Sequence, residues 1–213
     1  MSPNPTASVL YEKSPLFQAG YFSGVQALVD GVSWSKNVHV IDLSIKQGAQ
    51  STILMQALVS QPSCPIEHLK ITAVGTHSKQ IIEQTGDWFV NRFIDGLFHY
   101  GALFDSLEDC LDREDENRTI TESMYFGTGI KNILASESTE RVIRYVNIDV
   151  WRKFFARFGM KEIKLSISSL YQANLVAEKF SYGSCCTFDK DGDSLIIGWK
   201  GTPIKYVSAW KFS

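Results

Sequence analysis

The chain has 213 residues, of which 44% are hydrophobic and 21% charged, the composition of an ordinary globular protein. Its formal net charge of −2 argues against a large phosphate-neutralising surface, because a protein that binds nucleic acid by itself normally carries a basic face. Neither a membrane helix of roughly 20 apolar residues nor a basic-then-apolar secretory signal is visible, so we expect a soluble intracellular protein.

The N-terminal part begins with a Pro- and Ser-rich stretch, residues 1–15, which we interpret as a loose lead-in. Residues 16–30 carry apolar side chains at helical spacing, and Gly31 is a plausible end for that helix. One helix following a loose lead-in is therefore the prediction for this region.

A βαβ unit follows. Residues 38–43 form a short β-rich run with little alternation, which is typical of a strand covered on both faces in a parallel sheet. Ile53, Leu54, Ala57 and Leu58 then repeat at helical spacing, and residues 69–75 form a second strand. The crossover between two such parallel strands should be right-handed.

The strongest helix signal lies in the middle of the chain. Seven large apolar residues repeat there at intervals of three or four, which places them on one stripe: Phe89, Phe93, Leu97, Tyr100, Phe104, Leu107 and Leu111. We interpret the stripe mainly as core packing and, alternatively, as a partner-binding or dimer face. Residues 108–118 are acidic and polar and predict a solvated loop, and 119–135 predict a helix weakened by two glycines.

The C-terminal third mixes helices with a β-meander. An aromatic helix face is predicted from Trp151, Phe154, Phe155 and Phe158. A strand over 162–165 and a helix over 168–180, capped by Ser168 or Ser169, come next.

The predicted meander starts at 186–188 and turns at Asp191-Gly192, a type I′ hairpin signal. It returns over 194–199, turns at 201–203 and closes over 204–212. Trp199 and Trp210 should then lie on neighbouring strands and anchor the core.

Four blocks in this order resemble the plant GRAS family. VHVIDLSIKQG at 38–48, with its helix and LKITAVG, resembles the family's VHIID block, and HYGALFDSLE at 99–108 resembles the stretch after its PFYRE block. Residues 129–145 resemble the following segment, and GWKGTPIKYVSAWKF at 198–212 resembles the terminal SAW block. The wording is closest to the DELLA-like and SCARECROW-like branches.

The chain departs from the family pattern in two ways. The long N-terminal regulatory region, any DELLA-type motif and the first leucine-rich region are expected to be absent. The sequence also jumps near Gly86–Asp87, where the family has a strand, the second leucine-rich region and another central strand. We therefore interpret residues 1–213 as a single, incomplete GRAS-type domain with an internal deletion near 86–87.

The resemblance implies an α/β fold with a Rossmann-like sheet, similar to that of class I methyltransferases, with flanking helices and the C-terminal meander. It also implies a nuclear transcription regulator that binds DNA-binding transcription factors and other GRAS proteins, forms homo- or heterodimers, and contacts DNA mainly through partners, with at most weak direct binding. The alternatives are a small-molecule methyltransferase that uses S-adenosylmethionine, and a non-functional or dominant-negative truncated product.

Cofactor chemistry can be tested on particular residues. A nucleotide-type cofactor favours a glycine-rich first turn, but the turn at 44–48 holds only Gly48. An acidic residue should end the second strand to bind the ribose hydroxyls, and residues 73–77 contain none. Asp42 remains as a first-strand acid, which we interpret as a strand-end aspartate bonded to backbone amides. We therefore predict no enzyme activity and no cofactor.

Other candidate sites have structural interpretations. The four histidines His39, His68, His77 and His99 lack metal-ligand spacing, and His39 is expected to be a satisfied or edge histidine. Asp189, Asp191 and Asp193 resemble the start of a calcium loop, but Ser194 replaces the glycine, so they predict a hairpin turn. Asn117 begins a glycosylation sequon that is meaningless without secretion, Ser208 lacks a nucleophile-elbow context, and the four cysteines should be reduced thiols. We predict no catalytic, cofactor-binding or metal-binding residue.

Overall fold

The computed structural model describes residues 5–42, 49–62, 64–73, 89–136 and 147–212. Within these ranges the protein mixes helices with small sheets, which confirms an α/β fold. The helices are α1 (Pro5–Lys13), α2 (Pro15–Val32), α3 (Ala49–Val59), α4 (Phe89–Cys110), α5 (Glu116–Ile120), a π-helix (Thr121–Gly127), α6 (Thr128–Ala135), α7 (Ile148–Ala156), α8 (Ile167–Ala177) and a 3₁₀ turn (Gly183–Cys185). The strands are β1 (Asn37–Asp42), β2 (His68–Ala73), β3 (Met160–Ile163), β4 (Cys186–Asp191), β5 (Ser194–Trp199), β6 (Thr202–Val207) and β7 (Ala209–Phe212).

The described strands form three separate sheets. β1 and β2 pair in parallel, from Asn37 opposite His68 to Asp42 opposite Ala73, and α3 connects them, which confirms the predicted βαβ unit. β4, β5 and β6 form an antiparallel sheet, and β3 pairs with β7. The described strands therefore do not form one Rossmann-like sheet.

The C-terminal strands differ from the predicted meander. The segment predicted to close it, 204–212, divides at Ser208 into β6 and β7, and β7 pairs with β3. Trp210 consequently lies opposite Glu162 of β3 and not beside Trp199 of β5. The prediction that the two tryptophans occupy neighbouring strands is wrong, because the chain changes sheets between them.

Two tight turns set the register of the three-stranded sheet. Asp191 pairs with Ser194, so Gly192 and Asp193 are the central residues of the first turn, and only Gly192 has a positive φ, at 60°. That combination is typical of a type II′ turn and corrects the predicted type I′ turn at Asp191-Gly192. The type I′ pattern occurs at the second turn, where Lys200 and Gly201 have φ values of 47° and 88°.

Several predicted boundaries also change. The N-terminal lead-in contains α1, which ends just before Pro15 opens α2, a favoured first helical residue. Helix α8 begins after Ser166, whose hydroxyl accepts the backbone N–H of Ser169 at 2.9 Å, so Ser166 is the cap in place of Ser168 or Ser169.

The acidic segment 108–118 is more ordered than a solvated loop. Its first residues belong to the end of α4, and Asp115 caps α5 by accepting the backbone N–H of Asn117 at 2.8 Å. Arg118 is buried, donates to the carbonyl of Leu111 at 3.0 Å and pairs with Glu108 and Glu122. The charges therefore mark an ion-paired helix junction, because a buried guanidinium needs carboxylate partners.

Helix α2 lies between two parts of the core. Leu16 and Ala19 pack with α8 and with Ile197 and Trp199 of β5, whereas Val25 packs with α3 under the parallel pair. The α2–α8 contact is close enough for the hydroxyl of Ser169 to donate to the Ser23 carbonyl at 2.7 Å. A third cluster joins α4, the π-helix and α6.

Candidate protein-binding surfaces

The structure describes only some of the residues on which the prediction of no cofactor rests. Residues 44–48 and 74–77 lie outside the described residues, as does the side chain of Asp42, although Asp42 itself ends β1 as predicted. Across the described ranges, no group of three or more His, Cys, Asp or Glu residues could hold a metal ion. In the same part of the chain, no helix is long and apolar enough to cross a membrane.

The polar residues singled out by the sequence have structural partners. His39 is exposed on β1, and its Nε2 lies 2.8 Å from the hydroxyl of Thr72 on β2, as expected for a satisfied strand histidine. Asp191 ends β4 at the hairpin and pairs with Arg152 at 3.1 Å, and Ser208 accepts the indole N–H of Trp210 at 2.9 Å. Burial raises the pKa of Cys110 and Cys186 to about 12, so both thiols stay protonated and are poor nucleophiles.

An open hollow of about 600 Å³ lies at the start of the parallel pair, lined by Asn37, Val38, His39, Glu67, His68, Leu69 and Lys70. Ligands of doubly wound sheets bind beyond the opposite, carboxyl ends of the strands. The position of this hollow therefore gives no support to a nucleotide site.

One face of the parallel pair is exposed to solvent. Val40 and Leu69 point towards α2 and α3, whereas Ile41 on the outer face is 56% exposed. The prediction that this strand is covered on both faces is therefore wrong for the described residues. Because parallel sheets are normally covered on both faces, this outer face is a candidate binding surface.

The stripe on α4 divides into two halves with opposite surroundings. Tyr100, Leu107 and Leu111 are buried against the π-helix and α6, which confirms core packing for the C-terminal half. The N-terminal half instead exposes six large apolar side chains: Phe89, Val90, Phe93, Ile94, Leu97 and Phe98. We call these six residues the α4 patch. Contiguous exposed apolar side chains of this kind mark interaction surfaces.

The buried half of α4 is fixed by contacts with the C-terminal sheet. The indole N–H of Trp199, which is 1% exposed, donates to Asp105 at 2.6 Å. Lys200, in the type I′ turn, pairs with Asp105 at 2.6 Å and with Asp109 at 3.3 Å. Hydrogen bonds from Lys200 and Trp199 hold the pKa of Asp105 below its ordinary value. These contacts join the sequence blocks at 99–108 and 198–212.

A glycine makes the contact between α4 and α6. A Cβ on Gly129 would lie 1.8 Å from the hydroxyl oxygen of Tyr100 and 2.8 Å from its Cζ. No side chain can occupy that space without moving the ring. Gly129 was predicted only to weaken its helix, and its packing role was missed because sequence spacing does not reveal which helix faces it.

Sequence reasoning also missed the centre of an ion network. Arg152 on the aromatic helix α7 pairs with Asp149 at 2.8 Å, Glu162 at 2.7 Å and Asp191 at 3.1 Å. Burial would raise the pKa of Glu162, but hydrogen bonds from Arg152 and Ser194 hold it below its ordinary value. The network fastens α7 and β3 to the first turn of the three-stranded sheet.

An aromatic group covers the neighbouring face of α7. Trp151, Phe154, Phe155 and Phe158 contact one another as the predicted aromatic face, and Phe155 packs on Trp210 with ring centroids 4.8 Å apart. Trp210 is half-buried, unlike Trp199. It anchors this satellite group and not the main core.

Two basic side chains, Lys205 of β6 and His99 of α4, have lowered pKa values. The ammonium of Lys205 sits 3.8 Å from the centroid of the Phe17 ring, a cation–π contact. Burial lowers the pKa of Lys205 to about 8. Burial, together with the Lys205 charge, lowers the pKa of His99 to about 4. His99 is therefore neutral at physiological pH.

The arrangement of the four blocks can be compared with known proteins. The sequence model of the GRAS domain family matches residues 4–88 and 76–211, which together span nearly the whole chain. The chain belongs to the GRAS domain family. The two matches share residues 76–88, which we call the break.

Individual relatives support the assignment to DELLA-like and SCARECROW-like branches. The GRAS chain is 24% identical to the DELLA protein RGL3 of Arabidopsis thaliana over 289 positions, covering 95% of this chain and 55% of that protein. It is 25% identical to Scarecrow-like protein 18 of the same plant, over 95% of this chain and 67% of the relative. The chain thus spans about half the length of RGL3.

A solved structure shows the same fold. The crystal structure of SCL7 from Oryza sativa superimposes with a TM-score of 0.82 at 18% identity, covering 97% of this chain and 82% of that one. The helices and small sheets of this GRAS chain therefore form a GRAS fold. The match with SCL7 extends over the residues on both sides of the break.

Proposed function

We propose that this GRAS chain is a nuclear transcription regulator that acts as a scaffold or co-regulator of DNA-binding factors, and not as an enzyme. The observation that carries the proposal is the family match on both sides of the break. The net charge of −2 supports contact with DNA through DNA-binding factors and other GRAS proteins, with at most weak direct binding. Such a co-regulator must meet these factors in the nucleus.

The exposed apolar surfaces support a protein-binding role. The α4 patch and Ile41 on the parallel pair place large hydrophobic side chains in solvent. Covering them would remove apolar area from water, which is the main driving force of most protein association. No comparable support exists for catalysis, because the sequence offers a single glycine in the first turn and no acid after the second strand.

We also propose that the chain is a shortened GRAS domain that lacks a segment near 86–87. Two observations support this: the family matches are split at the break, and the alignment with RGL3 runs over 289 positions, more than the 213 residues of this chain. On this proposal, β1–α3–β2 is the first unit of a Rossmann-like sheet whose other central strands are missing. A weak or dominant-negative regulator is the expected consequence, and contiguous mRNA across codons 86 and 87 would establish the deletion.

The regulatory function can be tested by tethering. The chain is fused to an unrelated DNA-binding domain, and a nuclear reporter is measured with and without a triple charge substitution of the α4 patch (Phe93→Asp, Leu97→Asp, Phe98→Asp). We expect the chain to enter the nucleus and change reporter output, and the substituted chain to lose that effect. Exclusion of the folded chain from the nucleus would refute the proposal, as would a reporter that the chain changes neither when tethered nor when it competes with a full-length GRAS protein.

The parallel β1–α3–β2 unit keeps an S-adenosylmethionine-dependent methyltransferase as the second candidate. Isothermal titration with the cofactor at millimolar concentration separates the two. The regulator proposal predicts no measurable binding. A dissociation constant in the low micromolar range that Asp42→Ala abolishes would support the enzyme instead.

A further inference from the structure

We infer that the free edge and outer face of β1, together with the α4 patch, form a docking site for one occupant: the segment that longer GRAS proteins carry at the break, supplied in trans. The inference rests on the proposal that this chain lacks that segment. Along the chain, the parallel pair ends with β2 at residue 73, before the break, and α4 starts at 89, after it. A segment placed there would leave from one surface and return to the other.

The β1 edge is chemically suited to accept a strand. Among the described residues, β1 pairs with β2 alone, and no described strand lies along its other edge. Native edges are usually protected by lysine, proline or a bulge. Strand β2 carries Lys70 in its middle, whereas β1 reads NVHVID without lysine or proline and exposes Ile41. An extended apolar segment could therefore pair with β1 through its backbone and cover Ile41 with its side chains.

The α4 patch is suited to the same occupant. Its six residues form adjacent rows spaced by four along the helix, so they lie on one side of about the first three turns. The rows continue the buried stripe of the C-terminal half, which other elements of the chain cover. The first turns of α4 thus have the character of a core surface without its cover.

The comparisons favour this occupant over a second copy of the chain. The alignment with RGL3 requires positions that this chain does not have, and the split family match places the discontinuity between the two surfaces. A second copy could pair its own β1 with this one, but it lacks the same residues. It would leave the α4 patch without the cover that one continuous segment would provide.

The test uses the full chain and, as the probe, the separately expressed RGL3 segment that aligns with the break. Binding and stoichiometry are measured by calorimetry and light scattering. We expect a 1:1 complex and a higher melting temperature. Ile41→Asp and Phe98→Asp should each weaken binding by about tenfold or more, because each would bury an unpaired carboxylate. The matched control is Ile167→Asp on α8, where the isoleucine is 85% exposed and far along the chain from the break.

Three results would overturn the inference. The first is no binding of the segment to the folded chain, and the second is binding by both surface variants as tight as that of the control. The third is a dimer of the chain through β1 that the segment fails to dissociate. The melting temperature of each variant alone shows whether it is folded. The outcome is separable from the proposed function, since contiguous mRNA with no segment binding refutes only the docking site, while an mRNA containing the segment refutes the shortened form itself.

Discussion

The three-stranded sheet β4–β5–β6 and the parallel pair β1–β2 show two ways in which strands obtain partners. The three-stranded sheet is built from residues 186–207, and two-residue turns bring each strand to its neighbour. The parallel pair needs α3 as a crossover and, for a complete sheet, further strands from elsewhere in the chain. Strand β5 is accordingly buried along most of its length, while β1 exposes its outer face. A sheet completed by short local turns depends less on distant parts of the chain than a parallel pair does.

The largest effect should come from the core of the completed sheet. Trp199→Ala removes a fully buried ring and its hydrogen bond to Asp105 and should reduce the free energy of unfolding by about 3–5 kcal/mol. Chemical denaturation measures the loss. Trp34, which is 94% exposed, provides the matched control, and Trp34→Ala should have no comparable effect. Equal effects of the two substitutions would contradict the placement of the core.

The contact between α4 and α6 should be next in size. Gly129→Ala places a methyl group against the Tyr100 hydroxyl and should cost about 1–3 kcal/mol. Adding Tyr100→Phe should recover part of that cost, because the nearest atom is then 2.8 Å away in place of 1.8 Å. Gly101→Ala, where nothing lies within 4 Å, should instead stabilise by about 0.5–1 kcal/mol. A double variant with no recovery would show that the ring is not responsible.

The ion network should show a pH signature. Arg152→Met should destabilise by about 1.5–3 kcal/mol at neutral pH, since Glu162 and Asp191 lose charged donors. The folded pKa of Glu162 lies below its unfolded value near 4.5, so the pair stabilises above that pH and loses its effect as the pH falls. Denaturation at pH 7 and pH 3 should therefore show a difference that shrinks under acid. A constant difference would exclude the ion pair as its source.

Replacement of Lys205 should change the stability less than replacement of Arg152, and it should stabilise the protein at neutral pH instead of destabilising it. Its folded pKa of about 8 lies below the unfolded value of 10.5, so the unfolded chain binds the proton more tightly and stability rises between pH 8 and 10.5. Lys205→Met should remove this rise and stabilise the protein at pH 7 by up to about 1 kcal/mol after allowance for partial exposure. Melting temperatures across that range measure both. Destabilisation at pH 7 would mean that the contact with Phe17 outweighs burial.

The smallest effect should occur on the uncovered face of the parallel pair. Ile41→Thr should change stability by less than about 0.5 kcal/mol, whereas Val40→Thr on the covered face should cost more, because it places a hydroxyl against α3. Light scattering should also show less self-association for Ile41→Thr. Equal costs at the two positions would indicate that both faces are covered.

Much of the local structure could be predicted from the sequence, whereas its tertiary surroundings could not. Helical spacing located α2 and the long α4, and a β-rich run located β1. Spacing could not show that Phe93 is exposed while Leu107 is buried, because the same stripe contains both. The sequence also did not show that β7 leaves the meander and pairs with β3. Ser208, where the chain divides, is an ordinary turn residue, and the partner strand lies far away in sequence.

The candidate binding surfaces could likewise be predicted only in part from the sequence. The family could be identified from four blocks, and the break was visible as a jump near 86–87. The links between those blocks, Trp199 to Asp105 and Gly129 to Tyr100, depend on which elements face each other. Single-sequence patterns carry no such information.

Native-state hydrogen exchange of the full chain, read out by mass spectrometry, tests the central comparison most directly. The account predicts that amides of β5 exchange only with global unfolding, whereas amides of β1 exchange through local opening at a much lower free energy. Addition of the RGL3 segment should then protect β1 and leave β5 unchanged. Equal protection of β1 and β5 in the chain alone would contradict the claim that the parallel pair lacks its cover.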